Sequence, residues 1–125
     1  MTRIKIIDTE GNQVKFSCPL GTGWAKWGVE SPVIGACYDV EWDVDDDFEW
    51  GINIQDALEA TSAIETVGST LFFVAQALTY ESDRILTISL GGDVIFLNVS
   101  SAPSTSRHVC FFTSTDNVTL YPVEL

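Results

Sequence analysis

A chain of 125 residues has the length of one domain, and with 46% apolar and only 19% charged residues it can build a packed core. Eighteen acids against six bases leave a formal charge of −12, which repels nucleic-acid phosphates and anionic lipid and attracts cationic proteins or metal ions. Nucleic acid and membrane surfaces are therefore not expected among its partners.

The stretch "RIKIIDTEGNQVKFSC" predicts two short strands around the turn Thr9-Glu10-Gly11-Asn12, a first hairpin. The N-terminal residues hold no apolar run long enough for a secretory signal. The longest apolar run, "LFFVAQAL" at 71–78, is broken by Gln76 and too short to span a bilayer. Cys18, Cys37 and Cys110 are odd in number and lack CxxC spacing, as suits a reducing cytoplasm. Without export, the sequons at Asn98 and Asn117 stay idle.

Residues 19–35, "PLGTGWAKWGVESPVIG", hold two prolines and four glycines without a period, and predict a long ordered loop. Its core, "GTGWAKWG", is no phosphate loop. Lys26 precedes Gly28 instead of following a glycine, and it stands where a dinucleotide fingerprint needs its third glycine. Trp24 and Trp27 are expected to plug a barrel end or to anchor a contact.

Residues 38–50 alternate. Tyr38, Val40, Trp42, Val44, Phe48 and Trp50 fall on one side of an extended chain, and Asp39, Glu41, Asp43, Asp45, Asp47 and Glu49 on the other. The strand is expected from about Ala36 to Val44, with a turn or bulge at Asp45–Asp47 where Asp46 breaks the pattern. Same-face neighbours lie roughly 7 Å apart, so each pair of carboxylates repels by ~0.6 kcal/mol in bulk water. Three explanations compete for the row: a solvated outer face balanced by Arg3, Lys5 and Lys15, a docking surface for a cationic protein, or a calcium site. Asp43, Asp45 and Asp47 match the first EF-hand ligands, but Phe48 replaces the turn glycine and Ile54 the bidentate glutamate, which rejects the EF-hand. No metal site is expected.

In "NIQDALEATSAIE", 53–65, Ile54, Leu58 and Ile64 allow one short helix. "STLFFVAQALTY" follows, apolar on both faces like a central strand. After the charged turn at Glu81–Asp83, Leu86, Ile88 and Leu90 of "RILTISL" face one way, and Gly91-Gly92 predicts a two-residue hairpin turn. "DVIFLNV", a Ser/Pro loop at 100–106, and the strands "RHVCFFT" and "VTLYPVEL" complete the chain. His108 and Cys110 sit at i and i+2, too far apart for a catalytic pair. No catalytic residue and no cofactor is expected.

The pattern predicts a single all-β domain over 1–125: a small antiparallel, OB-like barrel or a sandwich of seven to eight short strands, with one long Gly/Trp loop. The expected function is binding rather than catalysis. In this reading an acidic module covers a partner's cationic surface, as an immunity or inhibitor protein neutralising a toxin such as a nuclease does. Asp39, Glu41, Asp43, Asp45, Asp47 and Glu49 would meet the partner's bases, and Trp24, Trp27, Trp42 and Trp50 would supply apolar anchors. The alternatives are a small-molecule-binding barrel with the tryptophans at its mouth, or a structural subunit of a larger assembly.

Overall fold

A computed structural model describes residues 1–58, 61–103 and 107–123. The first hairpin pairs β1 (Thr2–Glu10) with β2 (Gln13–Cys18) across Gly11, whose φ of +58° the turn requires. β3 (Gly21–Trp27) then pairs antiparallel with β2, and β4 (Cys37–Val44) with the other edge of β1. At the far end of the chain β12 (Val118–Pro122) runs antiparallel to β4 and closes on β3 in parallel, Leu120 beside Trp27. The circuit β1–β2–β3–β12–β4 is a closed five-strand barrel, so its strands leave no open edge.

The other strands are inserted between β4 and β12. They are β5 (Asp47–Phe48), β6 (Ile54–Asp56), β7 (Ala63–Val67), β8 (Thr70–Tyr80), β9 (Ile85–Leu90), β10 (Asp93–Val99) and β11 (His108–Ser114). β7 joins β3 in parallel at Gly21 and Ile64, which extends the barrel sheet outward. The long β8 carries β7 and then β9 along one edge and β11 along the other. β10 pairs with β9 and, in parallel, with β5, while β6 borders β11. A 3-10 turn at Thr115–Asn117 leads into β12. Among the described residues no helix is long and apolar enough to cross a membrane.

One continuous core fills both parts. Ile4, Ile6, Val14, Phe16, Val40 and Leu120 pack the barrel; Leu71, Phe73, Leu86, Ile88, Leu97 and Phe111 pack the inserted layer. A run of rings joins them. Phe16 meets Trp42 edge-on at 5.6 Å, Trp42 meets Phe73 at 6.0 Å, Phe73 stacks on Phe111 at 4.7 Å, and Phe111 meets Phe48 at 5.3 Å.

A polar chain crosses the same interface. The Trp42 indole N–H donates to Thr2 Oγ1 at 3.1 Å, and the Thr2 hydroxyl donates to the Asp93 carboxylate, which also faces the Met1 ammonium. That carboxylate raises the pKa of the amine. Asp93 is only 9% exposed, so these partners rather than water satisfy its carboxylate. Asp93→Ala strands the Thr2 hydroxyl and is expected to cost about 1–3 kcal/mol, read by urea denaturation. An unchanged midpoint would show that water replaces the carboxylate freely.

Four expectations are corrected. Residues 21–27 are a strand, not part of a loop: Gly23, Ala25 and Trp27 point inward, and Gly23 is there for close approach, since a Cβ would meet Phe16, Leu71 and Thr66 at 3.0 Å. The short helix within 53–65 is absent among the described residues, which form β6 and β7 instead (59–60 lie outside them). β8 is buried on one face only, with Phe72 41% exposed on the other. The described residues form twelve strands, not seven or eight, and the barrel is not wholly antiparallel because β3 and β12 are parallel. Of the expected Ser/Pro loop and last strand, 104–106 and 124–125 lie outside the described residues.

Candidate functional site

β4 holds its alternation because Val40, Trp42 and Val44 are drawn into the barrel. Glu41, Asp43, Asp45, Asp47 and Glu49 consequently face solvent, and none of the five makes an ion pair with the described residues. Asp39 differs. It is half-buried and pairs with Arg3, its neighbour in register on β1, at 3.3 Å. Arg3 is thus the only one of the three expected bases that balances the row. Lys5 sits opposite Cys37 and Ser17, and Lys15 opposite Asp8 and Trp24.

Asp46 breaks the alternation by turning inward. Its carboxylate accepts the Thr113 hydroxyl at 2.6 Å, and Thr113 Oγ1 accepts the Asn117 side-chain amide at 3.0 Å. The chain leaves the barrel here. Asn53 then clamps the outer segment, donating to the Asp47 carbonyl at 2.9 Å and accepting the Glu49 amide at 2.8 Å. The row therefore falls into two blocks, 39–43 on β4 and 45–49 beside β10. Among the described residues no three His, Cys, Asp or Glu side chains converge as metal ligands would.

The tryptophans do not form the expected patch. Trp27 is 8% exposed and packs edge-on against Tyr38 at 4.9 Å; Trp42 lies between Phe16 and Phe73. Both belong to the core and present no anchor. Trp24 is half-buried on the outer face of β3, where its amide donates to Thr66, and Trp50 is half-buried beyond β5 with its indole N–H on the Ser101 carbonyl at 2.7 Å. Inside the barrel Ile4, Ile6, Val14, Phe16, Val40 and Leu120 belong to the buried core.

Two surfaces escaped the sequence reading. A cleft of about 450 Å³ between β4 and β10 is lined by Glu41 and Asp43 on one side and by Val94 and Phe96 on the other, the latter two 56% and 64% exposed. The second is an open groove of about 600 Å³ on the outer face of β6, β7, β8 and β11, floored by Phe72, Val74, Cys110 and Phe112. Its signal was present: in "LFFV" and "CFFT" adjacent phenylalanines must point to opposite faces, so one of each pair faces outward.

His108 and Cys110 are half-buried on β11, where the thiol lies 3.9 Å from the Asp56 carbonyl. Cys37 is exposed at the start of β4. Cys18 is half-buried at the end of β2, and burial pushes its thiol pKa up. In comparisons with known proteins no family model matches this chain, nor does any curated protein or solved structure.

Proposed function

We propose that the protein is a binding module, not an enzyme, and that it covers a cationic protein surface with the strip Glu41, Asp43, Asp45, Asp47 and Glu49. The observation that carries this reading is the cleft between β4 and β10, where Glu41 and Asp43, in no ion pair with the described residues, stand beside exposed Val94 and Phe96, with Met1 also on the lining. Long-range attraction from the strip steers a basic partner, and the apolar wall supplies area that excludes water once contact forms. These two residues take the anchoring role first expected of the tryptophans. The concrete version is an immunity or inhibitor protein that occupies the basic face of a toxin such as a nuclease, in a reducing cytoplasm that suits three free cysteines. We further propose that the five-strand circuit is a Greek-key barrel of the OB kind, here without the basic groove that phosphate binding demands.

The test is capture of proteins from host extract at low and high ionic strength. It compares the native chain with a variant carrying Glu41→Gln, Asp43→Asn, Asp45→Asn, Asp47→Asn and Glu49→Gln. A basic protein should be retained at low salt and released at high salt, and the variant should slow its association on the order of a hundredfold. The variant itself should be as stable as the native chain or more so, because repulsion along the strip is removed. A neutral or acidic partner, or equal capture by the variant, would sink the proposal.

A further inference from the structure

The geometry points to a second contact site: the groove on the outer face of β6, β7, β8 and β11 receives one bulky apolar side chain of the same cationic partner, flanked there by Lys or Arg. This rests on the binding role proposed above and names where the partner's apolar anchor goes.

Cross-strand register builds the groove floor. Phe72 lies opposite Phe112, with ring centroids 5.5 Å apart, and Val74 lies between Ala63 and Cys110. Ile52, 68% exposed, stands at the rim, and the two phenylalanines are each about two-fifths exposed. A volume of about 600 Å³ falls within the range of sites that bind a compact group.

Charge selects the occupant. Among the described residues that line the groove only Glu65, opposite Phe72 on β7, is charged. At the other end Ile52 and Asn53 follow the Asp47–Glu49 segment after Trp50 and Gly51, and Asn53 bonds to the backbone of Asp47 and of Glu49. An apolar side chain seated on Phe72 and Phe112 would therefore have the Glu65 carboxylate beside it and the segment that carries Asp47 and Glu49 beyond the far rim, which favours basic neighbours and penalises acidic ones. A second copy of this chain fits poorly, since each brings −12.

The probe is a fluorescein-labelled peptide with one Phe between lysines, titrated into the full-length protein, with a Phe-to-Ser peptide and a Lys-to-Glu peptide as controls. The Phe/Lys peptide should shift the amides of 52–55, 63–65, 72–74 and 110–112, and both controls should bind at least about tenfold more weakly. Glu65→Lys, an exposed substitution that leaves the floor intact, should weaken binding about tenfold, as should Phe72→Ser with Phe112→Ser. Shifts confined to Glu41, Asp43 and Asp45, unaffected by the groove variants, overturn the groove inference and leave the acidic strip standing. Binding that needs Phe72 and Phe112 but ignores salt, Glu65→Lys and the peptide's lysines overturns the cationic partner itself. Absence of binding to the native chain overturns the groove site.

Discussion

Gly21→Ala is expected to lower the free energy of unfolding by on the order of 4 kcal/mol. Gly21 has φ of +143°, and a Cβ there would lie 2.1 Å from the carbonyl oxygen of Ile64. The obstacle is backbone, so it cannot rotate away. β7 would have to withdraw from β3, which breaks the parallel pairing of Gly21 with Ile64 and Thr22 with Glu65 and the 2.9 Å bond from the Ile64 amide to the Leu20 carbonyl. These are the bonds that carry the barrel sheet into the inserted layer. Gly11→Ala is the control: its φ is +58° but open space surrounds it, so only the backbone term remains, about 1 kcal/mol. Urea denaturation followed by tryptophan fluorescence distinguishes the two. Equal losses would show that the β3–β7 junction yields without cost.

The parts of this fold that could be read from the chain are those where apolar side chains alternate between sequential neighbours. The β1–β2 hairpin, β4, and the β9–β10 hairpin with positive φ at Gly91 and Gly92 all have that character. β3 was hidden because one of its inward positions is Gly23, which leaves a gap in any hydrophobic period. β6 has three residues and pairs with β11, far away in sequence; β7 has five, forms a hairpin with β8, and is held on its other side by the distant β3. The extended state of β6 is imposed by a tertiary partner rather than by local preference. The same holds for β5, two residues held against β10.

The acidic strip was legible for a related reason: a buried Val40, Trp42, Val44 and Phe48 leave their neighbours no choice but solvent. The role of the tryptophans was not. A large ring is favoured both in cores and at interfaces, and only the topology separates Trp42, locked between two phenylalanines, from Trp24 on an outer face. The apolar surfaces beside the acids, Phe96 and the Phe72–Phe112 pair, lie on strands contributed by distant parts of the chain. No local stretch records that adjacency.

Phe73→Ala is expected to cost about 3–5 kcal/mol, a large part of the 5–15 kcal/mol typical of a domain this size. Phe73 is 1% exposed and is the middle ring of the run from Phe16 to Phe48. Its removal opens a cavity between barrel and inserted layer. The neighbours cannot close it: Trp42 is held by its bond to Thr2, and Phe111 by the β8–β11 and β6–β11 ladders. Phe73→Leu, which keeps most of the volume, should lose less than about 1.5 kcal/mol. The consequence reaches the surface, because Trp42 and Phe48 are the inward residues of the stretch that carries the carboxylates. Loosened packing beneath them should speed amide exchange across 41–48 before it does so in β9, where Leu86, Ile88 and Leu90 have their own burial. If Phe73→Ala unfolds no more easily than Phe73→Leu, the two halves of the core are energetically separate, and the acidic strip owes its shape to the barrel alone.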